Sequence, residues 1–299
     1  MAGGVTVLGA TGFLGGRAAR RLMEDGHLVR VVSRRPERDR ALMRWDRATP
    51  VAADLTRPES LPPALEGAEA ALNAASLYRE TDGLTFEAIH VDGAARFAAA
   101  ARQAGVRRLV HVSGIGADAG AGDPYVRARG RGEAAVRDAF PGATIVRPSV
   151  MFGPDDAFLS AILAAIRRLP VVPLFGSGRT RLQPVHVDDA ARAMATALQA
   201  EAVAPVHELG GPTVWRYRDL VHAVGKAAGR TVRTAPVPFA LWRAFAAAAE
   251  RLPEPPLTRT EVALMEADKV AAPDLPGTEA LGVRPRDAIA YLRRLPALR

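Results

Sequence analysis

The chain has 299 residues, 48% hydrophobic and 24% charged, which suits a sizeable core and excludes a disordered protein. It contains no cysteine, which excludes disulfides, thiolate metal sites and cysteine nucleophiles, and its six histidines show no metal-ligand spacing. The formal net charge is +8, but the charges are dispersed without an aromatic-laced basic face. We therefore predict no nucleic-acid binding and no metal, and an acidic partner or an anionic membrane surface stays compatible with the charge.

The most informative stretch is a strand-like run at residues 5–8 that leads into a glycine-rich loop, GATGFLG, at residues 9–15. Apolar residues then recur at helical spacing, and Gly26 is placed to end that helix. Three glycines allow a tight turn and a close approach to a pyrophosphate, which the helix N-terminus also favours. The loop therefore predicts a dinucleotide site, with contacts from Gly9, Thr11, Gly12, Phe13 and Leu14.

The second predicted strand, residues 28–32, indicates which dinucleotide is bound. An NAD-preferring site usually places Asp or Glu about 20 residues beyond the loop. Here the strand ends at Ser33, Arg34 and Arg35, and the first acid is Glu37. A hydroxyl followed by two guanidiniums suits the 2′-phosphate of NADP, which arginine can hold through two parallel hydrogen bonds. We predict NADP(H) in preference to NAD(H), with a solvated basic turn as the alternative.

Strands and helices alternate along the following residues. The predicted strands are residues 51–53, 70–72, 108–113 and 144–147, and the predicted helices are residues 84–104 and 125–139. Repeated strand–helix units predict an α/β fold with a doubly wound, Rossmann-type parallel sheet. The alternation fades after residue 170, so we predict a dinucleotide-binding domain over residues 1–170, to which later segments return. A smaller C-terminal α/β lobe would cover residues 171–299.

The ends of the chain and its apolar runs bear on localisation. The first predicted strand begins close to the N-terminus, which leaves no room for a targeting peptide. No apolar run approaches the roughly 20 residues that cross a bilayer. We therefore expect a cytoplasmic protein with no transmembrane segment.

Short motifs follow the predicted strands or open a helix, at residues 11–15, 53–55, 73–75, 111–113, 125 and 147–149. With these motifs nearly the whole chain resembles the short-chain dehydrogenase/reductase superfamily, in its extended and atypical, epimerase/dehydratase-like branches. Three longer segments, residues 84–91, 148–154 and 181–189, are similar to one subgroup. That subgroup contains the NADPH-binding accessory subunit of respiratory complex I and its bacterial relatives.

The resemblance implies further cofactor contacts around the adenine, the ribose and the nicotinamide. These would come from Asp54 and Leu55 at the adenine, from Asn73, Ala74 and Ala75 on the ribose side, and from Pro148 to Val150 at the nicotinamide. It also implies a respiratory complex I or other membrane-associated protein partner, with the chain held peripherally at the cytoplasmic face of the inner membrane.

Active members of the superfamily use a tyrosine as proton donor and a lysine four residues later. Here Tyr125 is followed by Arg129, which could still hold the nicotinamide ribose and stabilise a phenolate. Arginine is always charged, however, and its planar fork places donors differently from an ammonium. Ser113 is the nearest strand-end hydroxyl, and Gly-Ile-Gly at residues 114–116 replaces the usual serine-rich run. The candidate catalytic residues are Ser113, Tyr125 and Arg129, with aromatic packing as the alternative for Tyr125.

Two functions from different classes therefore compete. One is an NADP(H)-dependent oxidoreductase or epimerase acting on a small carbonyl or sugar-like substrate. The other is a peripheral accessory or assembly component that keeps NADP(H) bound with little or no turnover. Retained phosphate-binding features beside an altered tyrosine–lysine pair favour the second.

Two other groups have structural interpretations. Asp188 and Asp189, next to His186, are predicted to open the helix that continues to Leu198, because acids near a helix N-terminus complement its dipole. The apolar segment at residues 238–245 is predicted to be a core helix of the smaller lobe, with an interfacial or partner-docking helix as the alternative. His90 lies in the long helix predicted at residues 84–104, and the sequence is equally compatible with a packing role and a functional role for it.

Overall fold

The computed structural model describes residues 4–81, 83–253 and 255–294, and the chain divides into two compact units. The first unit comprises Met1–Pro148, Val187–Leu209 and Pro273–Arg284, and the second comprises Ser149–His186, Gly210–Ala272 and Pro285–Arg299. The division therefore falls after Pro148 rather than after residue 170, and two later segments return to the first unit.

The strands are numbered in chain order through both units. They are β1 (Gly4–Leu8), β2 (Leu28–Ser33), β3 (Ala48–Ala52), β4 (Ala68–Asn73), β5 (Arg108–Val112), β6 (Thr144–Pro148), β7 (Met151–Phe152), β8 (Val172–Phe175), β9 (Arg181–Leu182), β10 (Val185–His186), β11 (Val206–Leu209), β12 (Trp215–Arg216) and β13 (Thr234–Val237). The first unit holds one seven-stranded sheet of order β11-β6-β5-β4-β1-β2-β3, in which neighbouring strands are parallel. The predicted parallel α/β sheet is confirmed.

The order of the strands reverses at β1, which positions the candidate site. Leu8 at the carboxyl end of β1 pairs with Val32 of β2 on one side and with Asn73 of β4 on the other. The chain runs outward from β1 to β3 and then crosses to β4, so β1 and β4 flank the switch point. Ligands of open α/β sheets bind in the crevice at such a point, beyond the carboxyl ends of the strands.

The α-helices are likewise numbered in chain order. They are α1 (Gly15–Glu24), α2 (Leu61–Leu65), α3 (Ala94–Gln103), α4 (Pro124–Ala139), α5 (Phe158–Arg168), α6 (Val187–Gln199), α7 (Tyr217–Ala227), α8 (Phe239–Ala249), α9 (Arg259–Glu266) and α10 (Ala288–Leu292). In the first unit, Leu65 of α2, Phe97 of α3 and Val136 of α4 pack with Leu109 and Ile145 of the sheet in one core cluster. Helices α1 and α6 pack against each other and against strands of the same sheet.

Asp188 and Asp189 lie in the first turn of α6, as predicted. Asp188 also forms an ion pair with Arg17 of α1: the Arg17 Nε lies 3.4 Å from the Asp188 Oδ1. These acids are therefore part of a helix start and of a contact between two helices.

The long helix predicted at residues 84–104 has two parts. Glu87–Gly93 is π-helical and continues into α3. Single π-helical turns inside α-helices occur frequently at functional sites. The hydrophobic spacing of the sequence does not distinguish the two helix types, so this feature was not predicted.

The second unit contains three two-stranded pairs and a helical core. Strand β7 pairs with β10 and β8 with β13, both parallel, whereas β9 and β12 are antiparallel. Residues from α5, α7 and α10, among them Leu159, Leu220 and Ile289, pack with Phe152 and Leu182 in a second core cluster.

The prediction that residues 238–245 form a core helix is wrong in its burial. Helix α8 forms there, but Ala246 and Ala249 are its buried residues, and Leu241 and Phe245 are 61% and 51% exposed. Trp242 attaches the helix to its unit: its Nε1–H donates to the Leu174 carbonyl at 3.0 Å. Leu241 and Phe245, one turn apart, consequently lie on the outward face.

Candidate functional site

The glycine-rich loop joins β1 to α1 at the switch point. Gly9 has φ +79°, in the left-handed region that favours glycine, and its N–H donates to the Val32 carbonyl at 2.9 Å. A Cβ on Gly15 would collide with the Gly9 carbonyl, so α1 starts directly against the loop. The Gly12 N–H donates to the same carbonyl at 2.9 Å, which closes a tight turn. The loop has the compact form that the sequence predicts.

The tip of this loop offers open backbone. Thr11 and Gly12 are exposed, and a Cβ on Gly12 would meet only the Gly9 oxygen, at 3.2 Å. Leu14, at the N-cap of α1, provides no side-chain cap, and the first turn contains no acid. The Gly12 and Gly16 N–H groups bond to the Gly9 and Gly12 carbonyls, and the exposed loop tip and the positive end of the helix dipole remain accessible to an anion. This arrangement fits a pyrophosphate, so residues 9–14 would hold a dinucleotide.

The end of β4 lies against the glycine-rich loop. A Cβ on Gly9 would come within 2.8 Å of the Ala74 carbonyl carbon, and the Ala74 N–H donates to the Leu8 carbonyl at 2.9 Å. Asn73 is buried, and its Oδ1 accepts from the Ala75 N–H at 3.2 Å. The structure thus brings residues 73–75 together with residues 9–14, and their predicted contact with the ribose side stays a prediction.

The end of β2 carries unneutralised positive charge. Ser33 is half-buried and its Oγ accepts from the Arg35 N–H at 3.3 Å. Arg34 and Arg35 are exposed, and neither forms an ion pair within residues 4–81, 83–253 and 255–294. Two free guanidiniums therefore stand beside the strand that neighbours the glycine-rich loop. Their role toward a 2′-phosphate is a prediction that rests on this charge.

Asp54 and Leu55, the predicted adenine neighbours, also serve the fold. The Asp54 Oδ1 accepts from the Thr56 N–H at 2.9 Å and from the Thr56 hydroxyl at 2.8 Å, which shapes the turn after β3. Leu55 is 5% exposed and belongs to the core cluster of the first unit. Both residues follow the strand end, so the adenine contact stays a prediction for them.

Tyr125 lies in the first turn of α4, where Asp123 caps the helix. The Asp123 Oδ1 accepts from the Tyr125 and Val126 N–H groups, both at 3.0 Å. The Tyr125 side chain is buried, with the residue only 5% exposed. Burial raises the pKa of its phenol above the ordinary value, and the charge of Arg129 only partly opposes this rise.

Aromatic rings surround Tyr125. Tyr78 stacks on it, with ring centroids 5.4 Å apart and 26° between the planes. Phe86 and His90 meet it edge-on, each at 5.4 Å between centroids. The contacts of Tyr78 and Phe86 with Tyr125 were not predicted. The sequence shows only two aromatic residues in the segment before the π-helical turn, and this signal is too weak to identify a contact.

Arg129 is buried in the middle of α4, where its guanidinium is bonded to backbone. Its Nη2 donates to the Ser113 carbonyl at 2.6 Å and its Nη1 to the Val112 carbonyl at 3.2 Å. No carboxylate lies within ion-pair distance of it in the described part of the chain. Its carbon Cζ lies 5.6 Å from the centre of the Tyr125 ring. The arginine at the lysine position therefore ties α4 to the end of β5.

His90, in the π-helical segment, connects Arg129 to the loop after β4. Its Nε2–H donates to the Leu77 carbonyl at 2.9 Å, and this tautomer leaves Nδ1 to accept from Arg129 Nη1 at 3.4 Å. Burial and the Arg129 charge lower the pKa of His90 to about 3. His90 is consequently neutral at physiological pH and serves as a fixed donor and acceptor.

Ser113 and His111 are buried at the carboxyl end of β5. In the described residues the Ser113 Oγ and the His111 Nδ1 have no hydrogen-bond partner. Burial, followed by the charge of Arg129, lowers the pKa of His111 to about 3. Ser113 was predicted as a site residue and His111 was not, because a single polar ring in an apolar strand resembles an ordinary core residue.

The residues of the RPSV motif, 147–150, have different surroundings. Arg147 forms a partly buried network that was not predicted. Its Nε and Nη2 donate to both oxygens of Glu133, at 2.8 and 2.6 Å, and its Nη1 donates to Glu208 at 3.2 Å. Pro148 ends β6 and its carbonyl accepts from Ile115 N–H at 3.2 Å. Val150 belongs to the second unit. Their predicted contact with nicotinamide is untested by this geometry.

The first unit defines a Rossmann-type α/β protein, whose candidate dinucleotide site lies at the switch point of its sheet. Comparison with known proteins agrees with this class. Residues 5–209 match the NAD dependent epimerase/dehydratase family, and the chain belongs to that family.

Named relatives extend the comparison. The chain is 34% identical to "NADH dehydrogenase [ubiquinone] 1 alpha subcomplex subunit 9, mitochondrial" of Rattus norvegicus, over 97% of this chain and 79% of that protein. It is 30% identical to the protein of that name from Arabidopsis thaliana, over 81% of this chain, and spans 62% of that relative's length. It is also 36% identical to the "Ceramide reductase" of Caulobacter vibrioides, over 63% of this chain and 59% of that protein.

Solved structures share the fold. The NADPH-dependent quinone oxidoreductase QOR2 of Escherichia coli, complexed with NADPH, superposes with a TM-score of 0.75. The match covers 97% of this chain and 98% of that one, at 21% identity. Across the described ranges 4–81, 83–253 and 255–294, no helix is long and apolar enough to cross a membrane.

Proposed function

We propose that the first unit binds NADP(H) and prefers it to NAD(H). The uncapped helix start behind Gly12 supports the pyrophosphate end of this site, and the unpaired guanidiniums of Arg34 and Arg35 support a 2′-phosphate. Ser33 offers a hydroxyl beside them. The cofactor would therefore be recognised mainly through its phosphates.

The bound cofactor would undergo little or no turnover, and Arg129 carries this proposal. Its guanidinium donates to two backbone carbonyls and to His90, all within a buried environment. A tyrosine that delivers a proton needs a pKa near the operating pH. Burial moves the Tyr125 pKa in the opposite direction, and the charge of Arg129, whose guanidinium is bonded to backbone carbonyls, offsets only part of this rise.

The role that best accommodates such a site is a peripheral accessory or assembly component. The relatives named as subunits of NADH dehydrogenase support it, since the match to the rat protein extends over 97% of this chain. The partner would be respiratory complex I or another membrane-associated protein, reached from the cytoplasmic face of the inner membrane. The dinucleotide would then stabilise or report the state of the subunit.

A second candidate function is an active NADP(H)-dependent oxidoreductase. The 36% identity to a protein named ceramide reductase favours it. A bound nicotinamide would supply hydride transfer to a carbonyl carbon. Tyr125 would donate its phenolic proton to the oxygen, and Ser113, whose Oγ has no partner in the described residues, would orient the carbonyl.

The two candidates differ in their response to Tyr125→Phe and Arg129→Lys. We expect neither variant to change NADPH oxidation with aldehydes or quinones by as much as tenfold, because residues 114–116 also lack the usual hydroxyls. A working proton donor would instead lose at least about 10²-fold in kcat. The measurement is absorbance at 340 nm, with Tyr217→Phe in the second unit as the matched buried control.

Thermal unfolding with and without NADPH accompanies this assay. A ligand that binds only the native state raises Tm by mass action, so NADPH should protect both variants. A robust activity that collapses in Tyr125→Phe while protection persists would establish the oxidoreductase and contradict the accessory role.

A further inference from the structure

Four arginines of the second unit line one cavity. The cavity has a volume of about 370 Å³, and its walls come from Arg179, Arg181, Arg216, Arg218 and Asp268. Neither the dinucleotide site nor the proposed chemistry uses any of these residues. Four positive charges and one negative charge leave the lining with a clear cationic excess.

The arginines converge because backbone hydrogen bonds join the two short segments that carry them. The Tyr217 N–H donates to the Thr180 carbonyl at 2.9 Å and the Arg218 N–H to the Gly178 carbonyl at 3.0 Å, which places Arg216 and Arg218 beside Arg179 and Arg181. Arg216 ends β12, and Arg218 lies in the first turn of α7. The neighbouring Leu182 and Tyr217 are buried in the core cluster.

The antiparallel register of β9 and β12 places Arg181 directly opposite Arg216. Like charges in directly opposed positions destabilise a strand pair. The next residue of β9, Leu182, is completely buried, so the strand pair contributes to the core while its two arginines repel each other. A bound anion would convert the repulsion into attraction.

Internal carboxylates neutralise only part of this charge. Asp268 accepts from the Arg181 N–H and from its Nε, both at 2.7 Å, and Arg218 pairs with Asp219 at 3.4 Å. Arg179 and Arg216 form no ion pair within the part of the chain that the structure describes. Two guanidiniums with five N–H donors each are thus available to a ligand.

We propose that this cavity is a binding site for a ligand with a multiply charged phosphate group. Guanidinium forks match phosphate oxygens through paired hydrogen bonds, and several forks at one site suit a diphosphate or a phosphomonoester dianion. All five lining side chains are charged, which favours recognition of the phosphate group. A soluble phosphate ester and a phospholipid headgroup carry this same chemistry.

The direct test is calorimetric titration of pyrophosphate into the full chain saturated with NADPH, so that the dinucleotide site is filled. We expect one saturable site that sodium chloride at equal ionic strength does not reproduce. Arg216→Gln and Arg179→Gln should each weaken binding about tenfold, because each removes a free guanidinium. Asp268→Asn should tighten binding about threefold or more, because it removes the only carboxylate of the lining.

Arg230→Gln is the matched control, because Arg230 is exposed in the same unit and lies outside the lining. The Gly12→Val variant, titrated without NADPH, should give the same pyrophosphate affinity, which separates this site from the dinucleotide site. Absence of saturable binding would overturn the proposal. So would equal affinities in Arg216→Gln and Arg230→Gln, or weaker binding in Asp268→Asn.

Vesicles distinguish the two sources of phosphate. Flotation with vesicles of phosphatidic acid in phosphatidylcholine, compared with phosphatidylcholine alone, measures headgroup binding. Flotation that Arg216→Gln abolishes assigns the site to a lipid headgroup, and pyrophosphate binding without flotation assigns it to a soluble phosphate ester. Flotation that is unchanged in Arg216→Gln, together with no pyrophosphate site, contradicts the proposal.

Discussion

At the residue scale, His90 and Arg129 form a buried hydrogen-bonded pair. Two backbone carbonyls and His90 Nδ1 accept hydrogen bonds from the buried Arg129 guanidinium. His90 stays neutral because burial, and then the charge of Arg129, lower its pKa to about 3. Arg129 stands at the sequence position where the resemblance implies a lysine.

The lowered pKa of His90 predicts how the free energy of unfolding depends on pH. In the unfolded chain His90 would titrate near pH 6.5, and in the folded protein its pKa is about 3. Between these values the unfolded state binds more protons, so the stabilising contribution is complete above pH 6.5 and is lost as the pH falls toward 3. The free energy of unfolding should fall by as much as about 1.4 kcal/mol per pH unit for each such histidine.

His90→Gln tests this dependence, because the amide can replace both hydrogen bonds but cannot titrate. Urea unfolding between pH 6.5 and 4.5 should show a shallower loss of stability in this variant than in the unaltered protein. His222→Gln, which changes an exposed histidine, should keep the original slope. Identical slopes in all three proteins would show that His90 is not held neutral.

Arg34 tests the cofactor preference. Arg34→Glu should weaken NADPH much more than NADH, because it replaces a charge-assisted contact with repulsion; the shift is about 2–4 kcal/mol. Arg20→Glu, an exposed change on α1, is the control for net charge. Equal affinity of the unaltered protein for NADPH and NADH in calorimetric titration would already defeat the preference.

At the element scale, the loop between β1 and α1 is the part of the site that the structure supports best. Gly12→Val should lower dinucleotide affinity at least about 100-fold, or about 2.7 kcal/mol, because the branched side chain fills the open tip. The fold should persist, since Gly12 lacks a left-handed φ and its added Cβ meets only one backbone oxygen.

Gly122→Val is a matched control, because a Cβ there meets nothing within 4 Å. Calorimetry with NADPH measures both variants after circular dichroism has verified their folding. Undiminished binding by folded Gly12→Val would remove the assignment of a phosphate cradle to this loop.

Elements with a strong apolar period were predictable, and elements decided by tertiary contacts were not. The β1–loop–α1 unit follows from its glycines and its hydrophobic spacing. Strand β3 was predicted at residues 51–53 and lies at Ala48–Ala52, because an edge strand tolerates the exposed Thr49 and Pro50. The exposure of α8 was not predictable, since the sequence pattern of an apolar helix is the same whether the helix is buried or lies on the surface.

At the scale of the whole molecule, the sequence motifs predicted which residues lie near one another but not the hydrogen bonds that they form. Parallel strands bring the residues after β1, β2 and β4 to one edge, so their proximity followed from topology. The capture of Arg129 by the Val112 and Ser113 carbonyls did not, because it depends on side-chain packing around α4 and the π-helical turn. The same holds for the Arg147–Glu133–Glu208 network and for the arginine-lined cavity of the second unit.

We propose a protein that retains NADP(H) and lies peripherally beside a larger membrane-associated assembly. Native gel electrophoresis of membranes solubilised in mild detergent, followed by detection of this chain and of NADH dehydrogenase activity, tests that combination most directly. We expect the chain to migrate with the activity band and to release NADP(H) on denaturation. A chain found entirely outside the membrane fraction, turning over NADPH with a carbonyl substrate, would contradict it.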